Sequence, residues 1–502
     1  MTKTKLKYTL VLLSGIVVLI NLISTDFFVR LDFTEDQRYT LSQSTLDIIG
    51  DLQDPVTVTA YFSEDLQPQF DRMRQDFMNL LEEYATRSDN KVVFTFINPN
   101  ESDELENEAR QNGIQPLVIS SREKNQSVQK RAYMGAVINY GEATEVIPFL
   151  EPGSQMEYAL TMAIKKMTIP EKQPVGVIAG HGEPTLEEMS EVTSELQVLY
   201  TPEPITLEDS VNLDKYKTLI WVRPADTIPP AHFEKLNTFV ENGGNVVVAI
   251  NKVEANFSTG MGRDLYTGMS DWLEEKGVKI NPDFLIDASC GSVTIRQQQG
   301  PFMINTPVSF PFLPVISEFA DHPVVKGLSA VMLQFASSLE PADTTVNFVP
   351  LAYSGKQSDV RTAPVFFNFE KEWSESDFSR SRIPVAALVS PENGKQGGNI
   401  IVFTDGDFVI NGTGQNARQL QPDNISLFVN SVDYLNDDTG LMQLRTKTVK
   451  HRPLDQINES KQTWLKILNF GLPLLLVIII GIVRYQKNIN IRNKRREESY
   501  AK

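Results

Sequence analysis

Two stretches stand apart in the pattern of polar and apolar positions. Tyr8 to Ser24 and Ile467 to Val483 each run 17 residues without a charge. Each is near the lower limit for a membrane-spanning helix, since about 20 residues cross the hydrocarbon core. Pro473 and Gly471 in the second run are tolerated in membrane helices, and Trp464 and Tyr485 flank it as an aromatic belt would. Lys3, Lys5 and Lys7 precede the first run, but Asn21-Leu22-Ile23-Ser24 is a poor cleavage site, so the run reads as an anchor rather than a removed leader.

Between these runs the periods switch between 2 and 3.6. Ser42 caps a short helix carrying Leu46, Ile48, Ile49 and Leu52. Val56–Phe62 and Val92–Ile97 read as strands. Gln69–Arg87 reads as an amphipathic helix, and Glu101–Asn112 as another stopped by Gly113. Leu117–Ser120 is a third strand entered through Pro116, and Tyr133–Tyr140 with Thr144–Phe149 forms a hairpin. The order is βαβαββ. With a proline before the third strand it resembles a thioredoxin-like fold, although Ser63-Glu64-Asp65-Leu66 stands where a redox member has its cysteine pair. Other small α/β sandwiches have the same order.

Glu157–Met167 is a connecting helix and Pro170–Pro174 a linker. Then Val175–Ala179, Leu219–Val222 and Val246–Ile250 are continuous apolar runs of the kind buried in parallel sheets. Thr185 and Glu188 form a capping box, and His232–Glu241 is a helix ending at Gly243-Gly244. Met269–Lys276 reads as helix, Phe284–Asp287 as strand and Gln297–Pro301 as loop. Val385–Val389 and Asn399–Thr404 resume the parallel pattern, and Asn424–Leu435 is a helix. The predicted class is α/β, with a doubly wound parallel sheet in the second unit. The expected organisation is 1–25 stub and first span, 26–168 thioredoxin-like domain, 169–445 doubly wound domain, 446–466 juxtamembrane linker, 467–483 second span and 484–502 basic tail.

Charge adds an orientation. The chain has 47 Lys and Arg against 64 Asp and Glu, a net charge of -17. The tail from Arg484 holds seven basic and two acidic residues, so 37 basic and 62 acidic residues lie between the two apolar runs. Basic flanks stay cytoplasmic. Both termini are therefore expected inside and the acidic loop outside, periplasmic in a bacterial inner membrane. The acidic balance argues against nucleic-acid binding. One cysteine, Cys290, and four histidines argue against disulfide frameworks and Cys- or His-rich metal sites, so no cofactor and no metal are expected.

Candidate chemistry lies on one rim. Ligands of open α/β sheets bind outside the carboxyl ends of strands. Gly180-His181-Gly182-Glu183 follows the first core strand and could bind a ligand or serve acid–base chemistry, or simply order a tight turn. Asp405-Gly406-Asp407 follows the last core strand and is expected on the same rim. Its carboxylates, with His181 and Glu183, could hold a divalent cation, or cap loops. Arg223, Asn411 and Asn424 are further candidates for that rim. Cys290 follows a strand exit, and neither G-x-S-x-G nor G-x-x-x-x-G-K-[ST] occurs. No catalytic residue is therefore assigned, and no P-loop is present in this sequence.

Several stretches together resemble the GldG-type family of gliding-motility-associated, ABC-transporter auxiliary membrane proteins. They are Arg38-Tyr39-Thr40-Leu41-Ser42, Asp54-Pro55-Val56-Thr57-Val58, Gly180-His181-Gly182-Glu183-Pro184, Glu241-Asn242-Gly243-Gly244-Asn245-Val246, Thr404-Asp405-Gly406-Asp407-Phe408 and Asn424 to Leu435. The resemblance implies a class I glutamine-amidotransferase-like Rossmann domain lacking the nucleophilic cysteine. It also implies a non-ATPase, substrate-binding-like subunit beside a multi-span permease and a separate cytoplasmic ATPase. A membrane-anchored scaffold of a motility or secretion apparatus, or an anchored hydrolase using the His181/Asp405 rim, are the rival expectations.

Overall fold

The computed structural model describes residues 40–446 and 459–500, together with Leu12 and Gly15, leaving out 65, 67, 124–125, 151–154, 169–171, 209–210, 258, 300–301, 343–345, 392–395 and 415–416. The first apolar run, Tyr8–Ser24, lies outside the described residues apart from Leu12 and Gly15. So does most of the charged stretch Arg445–Lys461.

The first unit opens with α1 (Gln43–Gly50), β1 (Val56–Phe62), α2 (Pro68–Arg87), β2 (Val92–Ile97) and α3 (Asp103–Gln111). It continues with β3 (Leu117–Glu123), β4 (Gln126–Ala132), β5 (Met134–Tyr140), β6 (Ala143–Ile147) and α4 (Gln155–Thr168). Ser42 caps α1 through the Thr45 N–H at 3.1 Å. The sheet order is β2-β1-β5-β6, with β1 parallel to β2 and antiparallel to β5. The strand after Pro116 does not join this sheet. Among the described residues it pairs with β4, in a separate two-stranded hairpin. Phe77, Leu81 and Tyr84 of α2 and Leu160 and Ile164 of α4 pack with Val56, Val58 and Ala60 of β1. Ala109 of α3 packs with Tyr61, Tyr133 and Val137.

Glu157 on α4 is buried and holds the start of this unit. Its Oε1 accepts from Ser42 N and from Thr45 Oγ1, each at 2.8 Å. Ser44 Oγ donates to Thr439 O, and Tyr158 of α4 donates to the Met442 sulfur at 3.3 Å. Residues near 42 and residues near 440 thus meet on the same helix.

The second unit contains β7 (Gln173–Ile178), α5 (Ser190–Leu199), β8 (Tyr200–Ile205), β9 (Thr218–Val222), α6 (Pro230–Glu241), β10 (Asn245–Ala249) and α7 (Met269–Glu275). After them come β11 (Asp283–Asp287), β12 (Cys290–Gln299), β13 (Phe302–Ile316), β14 (Glu318–Phe319), β15 (Asn347–Tyr353), β16 (Pro384–Ser390), β17 (Ile400–Phe403) and α8 (Pro422–Asn436). Eight strands form one sheet in the order β14-β15-β16-β17-β10-β9-β7-β8.

Alternate residues of the central strands face opposite layers. Val177, Ile220, Val222, Val247 and Phe403 meet α5 and α8 through Val192, Leu196, Phe428 and Val432. Leu219, Trp221, Val248 and Val402 meet α6 and α7 through Leu236, Phe239 and Trp272. Burial of each such side chain contributes about 1.5–3 kcal/mol.

Two expectations are corrected here. The sheet is mixed, not wholly parallel. Strands β8, β7, β9, β10 and β17 are parallel, but β16 runs antiparallel to β17, β15 to β16, and β14 to β15. Nine residues separate β16 from β17, too few for the dozen or more that a parallel crossover needs. Gln297–Gln299, expected in a loop, end strand β12, which pairs with β13 in a long hairpin.

A last helix, α9 (Glu459–Tyr500), forms a unit of its own with residues 450–502. Its segment Gly471–Asn493 is 23 residues long with mean hydropathy 1.5, long and apolar enough to cross a membrane. The basic tail after Arg484 continues the helix.

Candidate functional site

The topological switch point lies between β7 and β9. From β7 the chain steps to β8 on one side, then crosses to β9 on the other. The crevice outside these strand ends is the usual ligand position of such sheets. Here the loops after β7 and β9 are tied to each other. Gly180 and Gly182 have φ +117° and +80°, conformations that cost a side-chain-bearing residue strain. A Cβ on Gly182 would lie 2.9 Å from Ala225 Cβ. This turn lets His181 O accept from the N–H groups of Ala225 and Asp226, both at 2.8 Å, bridging the loops after β7 and β9.

The side chain of His181 points inward and is buried with Glu183, whose side chain is only 1% exposed. Glu183 Oε1 accepts from Trp221 Nε1 at 2.6 Å and faces His181 Nδ1 at 2.9 Å. Its Oε2 accepts from the His181 N–H at 2.5 Å. Burial pushes the Glu183 carboxyl up, but hydrogen bonds from the His181 ring and the backbone, and from Trp221, outweigh it and hold the group below the usual range. An ionised Glu183 only accepts, so His181 Nδ1 carries a proton. His181 Nε2 lies 2.8 Å from His232 Nδ1. One of these two ring nitrogens donates and the other accepts. The result is a Glu183–His181–His232 chain running from the interior to the half-buried His232 on α6. Two of the four histidines are thus spent on one hydrogen-bonded line.

A second cluster follows β17. Asp405 is fully buried. Its Oδ2 accepts from Gln334 N at 2.6 Å and its Oδ1 from Asp407 N at 2.7 Å. Burial first, and then the Asp407 charge, push its carboxyl well above the usual range. Asp407 is partly exposed. Its Oδ2 accepts from Asn251 Nδ2 at 2.6 Å, and Arg223 Nε lies 3.3 Å from its Oδ1. Arg223 sits at φ +48°, and a Cβ on Gly406 would come within 2.7 Å of its Cβ. Arg418 ties the loop down, donating to Asp407 O, Ile410 O and Gln334 Oε1.

Asn411 is a cap. Its Oδ1 accepts from Glu191 N at 3.1 Å in the first turn of α5. Thr185 and Glu188 bond reciprocally just before that helix. Asn424 stitches α8 to Met332 and Phe408.

His181 and Glu183 follow β7, Arg223 follows β9 and Asp405 and Asp407 follow β17, whereas Asn411 lies farther along the chain and Asn424 lies in the first turn of α8, and the structure does not bring these residues to one point. β9 and β10 stand between β7 and β17, a separation of about 14 Å at the usual strand spacing. Asp407 meets both Arg223 and Asn251. His181 and Glu183 meet Trp221 and His232 instead. Among the described residues no group of three or more His, Cys, Asp or Glu side chains is placed to hold a metal ion. The sequence reading passed over Trp221, His232, Asn251, Gln334 and Arg418. Asn251 carried a usable signal, since it stands just past the end of β10, where the rim logic applies. His232 and Trp221 had none, because their roles depend on which face of the sheet α6 covers.

Among known proteins, a family model described as "ABC-type uncharacterized transport system" matches residues 172–436. A domain of unknown function matches residues 35–139. A protein of Borreliella burgdorferi, itself described as uncharacterized, is 23% identical over 486 residues, covering 91% of this chain and 93% of its own length. Among solved structures, the mmIFT52 N-terminal domain is 14% identical with a TM-score of 0.35, covering 56% of this chain and 100% of that one. A ThuA-like protein from Parabacteroides merdae is 11% identical with a TM-score of 0.31, covering 53% of this chain and 91% of its own. Likenesses at these scores do not inform function. The family match takes in the switch point, both rim clusters and all the helices that cover the sheet, more than half of the chain, and the protein therefore belongs to the ABC-type transport system auxiliary family.

Proposed function

We propose that the chain is a non-ATPase, non-enzymatic auxiliary subunit of an ABC transport complex in a bacterial inner membrane. In this reading the large acidic segment faces the periplasm and both termini are cytoplasmic. The complex serves export or gliding motility, and the chain sits beside a multi-span permease that a separate ATPase drives. The observation that carries the reading is the family match over residues 172–436. The apolar helix segment Gly471–Asn493 supports membrane attachment. The strand order β2-β1-β5-β6 supports a thioredoxin-like module without its cysteine pair. The five parallel strands covered by helices on both faces support an amidotransferase-like module. Cys290 opens the hairpin strand β12 rather than a strand–helix elbow, which fits a module without amidase chemistry.

The test is purification from the native membrane in mild detergent, with quantitative identification of what accompanies the chain. A permease and an ATPase at fixed stoichiometry are expected. Recovery of the chain alone, under conditions in which a control transporter stays assembled, would sink the proposal. Protease protection in spheroplasts checks the facing, since residues 40–446 should be cleaved from outside.

A further inference from the structure

The middle turns of α9 (Glu459–Tyr500) are apolar on every face. Leu475, Val477, Ile478, Ile480, Ile482 and Val483 are each more than half exposed. A helix that is hydrophobic all round belongs in an apolar surrounding, and a hydrocarbon core is one. Two exposed aromatic residues mark its borders. Trp464 and Tyr485 stand 21 positions apart. At 1.5 Å per residue that is about 32 Å, close to the roughly 30 Å of the core. Trp and Tyr settle at the headgroup level, so this pair sets the two interfaces.

The two flanks differ in charge. Glu459, Lys461 and Lys466 give the Trp464 end a net +1. From Arg484 to Arg496 there are six basic residues and no acidic one. Arg484, Lys487 and Arg492 are exposed. Arg484 and Lys487, three positions apart, share one face of the helix. The 17 uncharged residues Ile467 to Val483 cover only about 26 Å. A span shorter than the core draws the basic side chains at its end outward to the phosphates. Arg484 therefore lies at phosphate depth beside Tyr485. Arg492 lies about 10 Å beyond Tyr485 along the axis, within about one Debye length in 0.1 M salt. Basic clusters of this size directly beside a span attract anionic headgroups.

We propose that the α9 flank beginning at Arg484 binds the headgroups of anionic phospholipids in the leaflet where the helix emerges. Arg484, Lys487 and Arg492 donate to the lipid phosphates, and the Tyr485 ring packs at the interface beside them. The inference rests on the membrane attachment read from Gly471–Asn493. It does not depend on the transport partners.

The test places the full-length chain in nanodiscs of equimolar phosphatidylcholine and phosphatidylglycerol. Both leaflets then have one composition, so the direction of insertion does not enter. Lipids that stay with the protein on transfer to detergent are counted by native mass spectrometry. Phosphatidylglycerol is expected to be enriched roughly threefold, and less so in about 1 M sodium chloride. Arg484→Gln, Lys487→Gln and Arg492→Gln combined should bring the two lipids to near parity. Lys466→Gln, at the other interface, should leave the enrichment in place. No enrichment with the unaltered chain, or enrichment unmoved by the triple replacement, would overturn the proposal. The basic flank would then be an orientation signal or a surface for an acidic protein. A chain that does not enter nanodiscs would overturn the proposal together with membrane attachment.

Discussion

Glu183 and Asp405 are both buried carboxyls just past the ends of parallel strands of one sheet, yet they are held in opposite ways. Glu183 meets ring and backbone N–H donors and is held below its ordinary range. Asp405 also accepts two backbone N–H bonds, but full burial and the nearby Asp407 push it well above its ordinary range. Burial acts upward on both. What differs is the neighbouring chemistry: a histidine with a proton to share in one case, a second carboxylate in the other. Distance from solvent alone therefore does not decide the charge of a rim acid.

The comparison can be broken most sharply by neutralising each acid. Glu183→Gln leaves an amide N–H₂ facing a donor and frees His181 from its fixed tautomer. It should cost about 3 kcal/mol in urea unfolding of the full-length chain. Asp405→Asn removes a charge that the fold disfavours and gives up one acceptor, so about 1 kcal/mol is expected. Equal losses would show that both acids are ordinary hydrogen-bond acceptors.

The pH dependence of unfolding sharpens the same contrast. A depressed carboxyl stabilises the fold above its ordinary value of 4.5, and that stability is lost as pH falls through the depressed value. A raised carboxyl stabilises the fold below its ordinary value of 3.8, and that stability is lost as pH rises through the raised value. Glu183→Gln should thus flatten the acid limb below pH 4.5. Asp405→Asn should flatten the loss on the way from pH 3.8 towards neutrality. Each change should approach about 1.4 kcal/mol per pH unit where the group titrates. The reverse assignment would refute the account of both acids.

Smaller effects test the supports. His232→Ala removes the partner of His181 Nε2 and should cost about 1 kcal/mol, with most of it restored by His232→Gln. Thr185→Ala, which removes one half of the capping box before α5, should cost about 1 kcal/mol or slightly less in the same assay.

Much of the fold was legible because buried parallel strands are written as unbroken apolar runs. Val175–Ala179, Leu219–Val222 and Val246–Ile250 fall on β7, β9 and β10. Val385–Val389 was legible as a strand but not in direction, which depends on the short link from Ser390 to Ile400 rather than on the strand. β8 was missed because Pro202 and Pro204 argue against a strand, although prolines are tolerated where a strand borders a sheet on one side only, as β8 does. The β12–β13 hairpin was missed because Gln297–Gln299 and Gly300-Pro301 carry turn-like composition. The rim was legible as a place, since strand ends can be counted from sequence. Its division into two clusters was not, because strand order sets the distance between β7 and β17 and sequence order does not show it.

The meeting of residues 42–45 and 439–442 on α4 also has a mechanical meaning. A pull applied through both flanking segments would act on two points held by one helix, across contacts such as Ser44 to Thr439 and Tyr158 to Met442. Tension would close through that short bridge and bypass both sheets. The bridge is then the part that yields first under load, while the strands that carry the rim residues stay unstretched.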